Sequence, residues 1–179
     1  MQALEFSILD WIQNNFRCGF LDVVLPFVSK ICDHGEIWIL FAIILLAIRP
    51  TRRQGAAVSC SLILDLIACN LLLKPLFNRI RPFALNPSVQ LLTAPPPDAS
   101  FPSGHTAVSF AAVFALKAAG SPLWKPAMAL SVVIAFSRLY LYVHWPSDVL
   151  GGILLGGILG WAGAKIVQLF ERRIPDENP

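Results

Sequence analysis

Three short polar stretches interrupt a sequence that is otherwise strongly apolar. They are KPLFNRIRP, PSGHT and SRLYLYVHWPSD, which begin at Lys74, Pro102 and Ser137. Their basic residues include three cations that could bind one anion, Lys74, Arg81 and Arg138. Arginine presents a planar fork that suits phosphate oxygens, and lysine presents a point charge. We therefore predict that a phosphate-like anion binds where these stretches meet.

The stretch PSGHT is typical of a helix that begins at an anion site. The free N–H groups of Ser103, Gly104 and His105 would point away from the helix start, where the helix dipole adds positive charge. Gly104 has no side chain to obstruct the approach of the anion. Ser103 could cap the helix or donate its hydroxyl to the anion. We therefore expect Ser103 and Gly104 to add hydrogen bonds to the anion.

The third stretch contains a histidine and an aspartate at helical spacing. His144 and Asp148 are four residues apart, and Pro146 suits the first position of a helix. A carboxylate in that first turn can reach one imidazole nitrogen and fix the tautomer, which leaves the other nitrogen as a nucleophile. His105 is a second imidazole at the same end of the bundle. Two such histidines can divide the work, because one attacks phosphorus and the other protonates the leaving oxygen.

Each of these residues has an ordinary explanation when it is taken alone. A histidine in a membrane turn is usually an interfacial hydrogen-bonding group, and an arginine at the end of a span usually snorkels to the surface. Ser103 alone would be a helix cap. Three cations, a helix start, two histidines and an aspartate on one face are harder to explain separately. We interpret them as one site.

The composition predicts an integral membrane protein. Of the 179 residues, 56% are hydrophobic and 14% are charged, and the mean hydropathy is +0.65. A soluble domain of this size needs more polar surface. The length favours a single domain over residues 1–179. The basic residues are not interleaved with aromatic ones, so we expect no nucleic-acid partner. The four cysteines form no CxxC pair and are expected to be structurally neutral.

Apolar segments near the length of a membrane helix divide the chain. A span needs roughly 20 apolar residues, and the candidates are residues 19–33, 35–49, 55–77, 103–119, 122–143 and 147–170. Residues 3–16 indicate an amphipathic helix at the membrane interface, with an apolar face formed by Leu4, Ile8, Trp11 and Ile12. The sequence therefore predicts an all-α fold: a six-span transmembrane helix bundle with an N-terminal interfacial helix.

Basic residues orient the predicted bundle. With six spans, one side carries Arg49, Arg52, Arg53, Lys117, Lys125, Lys165, Arg172 and Arg173. The positive-inside rule makes that side cytoplasmic. The three polar stretches then face the outside of the membrane. The basic residues on that outer side oppose the bias and call for a local reason; they are Lys74, Arg79, Arg81 and Arg138.

Two spans carry residues that are unusual for a helix facing lipid. The last span has a small-residue stripe for close helix packing, formed by Gly152, Gly156, Gly160 and Ala164. The third span has Asp65 near its middle. An intramembrane carboxylate is either functional or hydrogen-bonded within the bundle, and the sequence leaves both roles open for Asp65.

The order and spacing of the polar residues resemble the three-part signature of the type 2 phosphatidic acid phosphatase family. Lys74 is followed after six residues by Arg81 and Pro82, and the run PSGH comes next. Arg138 is then followed after five residues by His144, and Asp148 comes after three more. The resemblance covers roughly residues 55–165. The superfamily also includes vanadium haloperoxidases and bacterial acid phosphatases.

The resemblance implies a membrane enzyme that hydrolyses a lipid phosphate or pyrophosphate through a phosphohistidine. His144 would be the nucleophile, Asp148 would orient it, and His105 would be the general acid. The phosphate would be held by Lys74, Arg81, Ser103, Gly104 and Arg138. No metal and no cofactor is implied, because cations and a helix dipole can stabilise the transition-state charge. The expected partners are the lipid phosphate substrate and membrane lipids.

Several alternatives remain open at this stage. A vanadate-dependent oxidant could use the same residues, but the haloperoxidases of this superfamily are larger and soluble. A lipid-binding or transport protein without catalysis could keep a phosphate pocket, but it would not need the complete set of His144, Asp148 and His105. For the substrate we favour undecaprenyl pyrophosphate in a bacterial cell membrane. Phosphatidylglycerol phosphate and phosphatidic acid are the other candidates.

Overall fold

Every regular element in the computed structural model is helical over residues 2–172, which are the residues that the structure describes. The helices are α1 (Gln2–Phe16), α2 (Gly19–Lys30), α3 (Glu36–Ala47), α4 (Arg52–Asp65), α5 (Lys74–Phe77), α6 (Pro82–Leu85), α7 (Gly104–Ala118), α8 (Trp124–Tyr140) and α9 (Pro146–Glu171). A 3-10 turn, Arg49–Thr51, precedes α4. A π-helical segment, Leu66–Leu73, joins α4 to α5. The predicted all-α class is confirmed. Arg173, one of the residues used for orientation, lies outside the described residues.

Two helical runs are long and apolar enough to cross a membrane. They are Arg49–Leu85 and Pro146–Glu171, and Glu36–Ala47 is apolar but shorter. The helices α2, α7 and α8 have 12, 15 and 17 residues. A membrane span needs about 17–25 apolar residues. The count of six spans therefore stays a prediction.

Helix α9 packs closely against α7 and α4. Its small residues allow this approach. A Cβ atom at Gly152 would be 2.8 Å from the carbonyl oxygen of Ser103, and one at Gly163 would be 2.7 Å from the backbone nitrogen of Ser61. A Cβ atom at Gly156 would overlap with the carbonyl oxygen of Ala107. The small-residue stripe thus brings the backbones of α9 and α7 together, as the sequence predicts.

The opposite face of α9 is apolar and uncovered. Leu150, Leu154, Ile158 and Trp161 follow one another at helical spacing, and each is more than half exposed. A soluble protein rarely leaves a continuous apolar stripe of this kind open. The stripe suits contact with lipid, in agreement with the predicted membrane location.

Helix α1 is amphipathic, but its faces differ from the prediction in two residues. Leu4 and Trp11 are exposed, as expected for a helix that contacts lipid. Ile12, assigned to the same face, is instead buried against the bundle together with Leu9. Glu5, which does not belong to the predicted apolar face, is also buried. Its carboxylate is paired with an arginine of the bundle, and such pairing is what makes burial of a charged group tolerable.

Candidate active site

A cavity of about 760 Å³ lies where the three polar stretches meet. Six of the eight predicted site residues line it: Lys74, Arg81, Gly104, His105, Arg138 and His144. The other two, Ser103 and Asp148, are completely buried and adjoin the site through contacts described below. The tertiary structure therefore brings all three stretches to one place.

Lys74 lies directly after the π-helical segment, at the first position of α5. A π-helical turn contains an extra residue, and such segments are frequent at functional sites. Across the cavity wall, a Cβ atom at Gly104 would be only 3.4 Å from Nζ of Lys74. The start of α7 therefore lies next to the ammonium group of Lys74.

His144 lies in the turn between α8 and α9 and is buried. Its Nε2 is 3.3 Å from Nη1 of Arg81. Because a guanidinium can only donate, Nε2 is the unprotonated nitrogen in this contact. The other nitrogen, Nδ1, is 3.5 Å from Oδ2 of Asp148 and has no hydrogen-bond partner within the described chain. The predicted pair is thus adjacent, but the contact is longer than a hydrogen bond. Catalytic contacts are often long without substrate.

The surroundings keep the His144 imidazole neutral. Burial, followed by the positive charges of Arg81, Arg138 and Lys74, lowers the pKa of His144 well below its ordinary value. A neutral imidazole has a free lone pair, which an imidazolium lacks. His144 is therefore in the protonation state that a nucleophile needs at neutral pH.

Asp148 is held by three donors. Its Oδ2 accepts hydrogen bonds from Ser100 Oγ at 2.5 Å and from the backbone N–H of Trp145 at 2.9 Å. Its Oδ1 accepts from Nη1 of Arg79 at 2.5 Å. Arg79 also pairs with Glu5 of α1 at 2.6 Å. The carboxylate is therefore fixed in position, and α1 is tied to it through Arg79.

The carboxylate of Asp98 forms ion pairs with two of the three cations of the predicted site. One carboxylate oxygen contacts Nζ of Lys74, and the other is 2.7 Å from Nη2 of Arg81. Partial burial acts to raise the pKa of Asp98, but the hydrogen bond and charge of Lys74, with the charge of Arg81, outweigh burial and lower it to about 2. Asp98 is therefore ionised at neutral pH. It holds the cations in the way that two oxygens of a phosphate would.

Arg138, the third cation, is buried in α8. Its Nη1 donates to the hydroxyl of Ser29 in α2. Its Nε is buried without a hydrogen-bond partner among residues 2–172. An unpaired buried N–H is costly, and a phosphate oxygen in the cavity would provide an acceptor for this guanidinium.

The residues at the start of α7 differ in part from the prediction. Ser103 makes no side-chain capping hydrogen bond in the described structure, and its hydroxyl instead accepts one from Thr106 at 3.0 Å. Its backbone N–H donates to the carbonyl of Asp148 at 3.1 Å and is thus not free for an anion. Nε2 of His105 is 3.2 Å from Oδ1 of Asp33, in the turn between α2 and α3.

The far wall of the cavity is apolar and reaches the outer surface of the bundle. It includes Ile39 and Ile43 of α3 and Ile63 of α4, all of which are about half exposed. Asp65 also lines the cavity and is buried, and its Oδ1 has no hydrogen-bond partner among residues 2–172. Of the two roles left open for Asp65, a hydrogen bond within the bundle is therefore not observed for this oxygen. The cavity joins a cationic end to an apolar opening.

Comparison with known proteins decides the family. The family model of the PAP2 superfamily matches residues 54–172. The chain belongs to this superfamily. The resemblance noted from the sequence, over roughly residues 55–165, is thereby confirmed.

Relatives of this PAP2 chain act on polyprenyl and phospholipid phosphates, according to their names. The undecaprenyl-diphosphatase of Sulfolobus acidocaldarius is 31% identical over 167 residues, which are 92% of this chain and 80% of that protein. The decaprenylphosphoryl-5-phosphoribose phosphatase of Mycobacterium tuberculosis is 33% identical over 161 residues, 89% of this chain and 84% of that protein. A crystal structure of a transmembrane PAP2 type phosphatidylglycerolphosphate phosphatase from Bacillus subtilis has a TM-score of 0.72 at 22% identity. The match covers 99% of this chain and 89% of that one.

Several residues of the PAP2 site were not assigned to it from the sequence. They are Glu5, Ser29, Asp33, Arg79, Asp98 and Ser100. Arg79 alone gave a signal, because it is basic on the side that the positive-inside rule disfavours. The others are single polar residues in turns or helices, and their contacts bridge 17 to 142 positions of the chain. No local pattern reveals such contacts.

Proposed function

We propose that this chain is a membrane lipid phosphatase that hydrolyses a phosphomonoester or pyrophosphate through a phosphohistidine on His144. The observation that carries the proposal is the contact of His144 Nε2 with Nη1 of Arg81, at 3.3 Å, at the cationic end of the cavity. Family membership supports the same chemistry. The apolar opening of the cavity provides a place for the lipid chain.

The first step forms the phosphoenzyme. The substrate phosphate replaces Asp98 on Lys74 and Arg81, and Arg138 binds a further oxygen. The lone pair of His144 Nε2 attacks phosphorus while the bond from phosphorus to the leaving oxygen breaks. The proton on Nδ1 then faces Asp148, whose negative charge stabilises the imidazolium form. His105 donates a proton to the leaving oxygen.

The second step regenerates the enzyme. Water attacks the phosphorus of the phosphohistidine and gives a proton to His105, while the bond between phosphorus and Nε2 breaks. Inorganic phosphate leaves, and His144 is again neutral. The three cations stabilise the charge on the equatorial oxygens in both transition states, which is the role that metal ions have in many other phosphoryl transfers.

For the substrate we propose undecaprenyl pyrophosphate. The undecaprenyl-diphosphatase relative supports this choice, since the match covers 92% of this chain. A polyprenyl phosphate that carries a sugar phosphate is a second candidate, because of the Mycobacterium tuberculosis relative. Phosphatidylglycerol phosphate and phosphatidic acid remain candidates. In each case the lipid chain would lie along the apolar wall and the phosphate at the cationic end.

The test is phosphate release by the purified full-length protein in detergent, on a panel of these four lipid phosphates. We expect turnover on at least one lipid, highest on undecaprenyl pyrophosphate, with activity retained in EDTA and blocked by vanadate. Loss of turnover in EDTA that Mg²⁺ restores would contradict the proposed mechanism. Binding without phosphate release would favour a lipid-phosphate binding or transport protein.

We further propose that the chain is one integral membrane domain with the site on the extracytoplasmic side of a bacterial cell membrane. The charge bias supports this orientation. In a variant without native cysteines, Ser88→Cys should react with an impermeant thiol reagent in intact cells, and Arg172→Cys should not. The reverse labelling would place the site in the cytoplasm.

A further inference from the structure

His105 has a carboxylate partner that lies outside the family signature. Oδ1 of Asp33 is 3.2 Å from Nε2 of His105. Asp33 lies in the turn between α2 and α3, and the two residues are 72 positions apart in the chain. The PAP2 match begins at residue 54 and does not include Asp33. Both side chains line the cavity, so the contact lies where substrate would bind.

The positive charges around His105 oppose the protonated form that a general acid needs. The acid must carry a proton while Lys74, Arg81 and Arg138, with His144, line the same cavity. Like charges disfavour an imidazolium, and an opposite charge within about 4–6 Å favours it. Asp33 provides a carboxylate in direct contact with the proton-bearing nitrogen. The side chain of His105 is largely buried and that of Asp33 is half exposed, so water screens this contact only in part.

We propose that Asp33 is a positioning residue for the general acid, which orients His105 and keeps a proton on its Nε2. The inference rests on the proposed function. When the bond from phosphorus to the leaving oxygen breaks, the proton passes from Nε2 to that oxygen. Asp33 stays ionised throughout, and the attacking water returns a proton to Nε2 in the second step. The site then has two histidine–carboxylate pairs, His144 with Asp148 and His105 with Asp33.

The role predicts a dependence on the leaving group. A lipid alkoxide is a poor leaving group and needs the proton, whereas p-nitrophenolate needs it much less. Asp33→Asn keeps the shape of the side chain and removes its charge. We expect it to lower kcat/KM on a lipid monophosphate by about tenfold, with a much smaller effect on p-nitrophenyl phosphate. Asp33→Glu should restore most of the lipid activity.

Glu36→Gln is the matched control. Glu36 begins α3 three residues after Asp33 and pairs only with the exposed His34 among the described residues. Glu36→Gln removes one negative charge close to the cavity, as Asp33→Asn does, but at a residue that does not contact His105. We expect its ratio of lipid to p-nitrophenyl phosphate activity to equal that of the wild type. A fall in this ratio equal to that of Asp33→Asn would show a general charge effect and overturn the proposal.

The double variant Asp33→Asn/His105→Ala separates positioning from folding. If Asp33 acts through His105, the double variant should have the activity of His105→Ala alone, since a residue cannot position an absent group. Independent losses that multiply would overturn the proposal, even if Asp33→Asn is less stable. A wild type without turnover on either substrate would overturn the proposed function itself. A wild type that is active, with an unchanged ratio in Asp33→Asn, would overturn the inference alone.

Discussion

The two histidines share one cavity, but their surroundings come from different parts of the chain. His144 and Asp148 are four residues apart, and the turn that contains them is fixed by Arg79, Arg81 and Ser100. Apart from the link of Arg79 to α1, these residues belong to the segment that the PAP2 family model covers. His105 instead meets Asp33, which comes from the N-terminal part of the chain.

The difference shows which steps of the proposed reaction depend on residues of the family signature and which depend on residues outside it. Attack on phosphorus is the step that every phosphate ester needs, and its residues lie within the signature. Protonation depends on the leaving group, and its proposed support comes from the turn between α2 and α3. We therefore expect the N-terminal helices to influence which lipid is accepted more than whether phosphate is attacked.

Substitution of His144 should cause the largest loss of activity. His144→Ala removes the proposed nucleophile, so we expect kcat to fall roughly 10⁴-fold or more on both a lipid monophosphate and p-nitrophenyl phosphate. His34→Ala is the control, because this third histidine is exposed and pairs with Glu36. Substantial turnover by His144→Ala would place the nucleophile elsewhere.

His105→Ala should separate the two substrates. General-acid assistance is worth roughly 10²–10⁴ in rate, so we expect a loss of that size on the lipid and a much smaller one on p-nitrophenyl phosphate. The measurement is the ratio of mutant to wild-type kcat for each substrate in the same detergent. Equal losses would leave His105 as a phosphate-binding residue and remove the contrast with His144.

Gly156→Ala should disturb the packing on which both histidines depend. The added Cβ atom would overlap with the carbonyl oxygen of Ala107, which would push α9 from α7. Overpacking of this kind costs about 1–3 kcal/mol, so we expect a lower unfolding temperature in detergent and losses on both substrates. Gly157→Ala is the matched control, because its Cβ atom would be 3.7 Å from Phe114, an ordinary contact. Equal effects of the two variants would show that close backbone approach does not matter here.

Asp98→Asn should change anion binding without changing the leaving-group ratio, in contrast to Asp33→Asn. The ionised carboxylate competes with phosphate for Lys74 and Arg81. Its removal should lower the inhibition constant of vanadate by about tenfold. Because the pKa of Asp98 is about 2, the carboxylate stays ionised above that pH and loses its charge only below it. The effect should therefore be the same at pH 6 and pH 8. Weaker vanadate binding would show that Asp98 organises the cations and does not compete for them.

The sequence alone determined the helical class, the membrane character and the main chemical groups of the site. Helical spacing placed His144 and Asp148 together, and the stripe of small residues predicted that α9 packs closely. Such patterns are local, because a helix brings residues three and four apart to one face. The cations could be recognised for a second reason: charge is rare in an apolar chain, so each charged residue needs an explanation.

Only the tertiary structure decided how these groups are partnered. It placed Asp98 on Lys74 and Arg81, Asp33 on His105, and the Glu5–Arg79 pair behind Asp148. It also showed that the Ser103 hydroxyl accepts a hydrogen bond from Thr106, that the Ser103 N–H donates to the carbonyl of Asp148, and that the Ser103 side chain does not cap α7. The ion pairs join distant parts of the chain, and each has at least one partner that is mostly buried. The packing of whole helices selects them, and no spacing along the sequence encodes them.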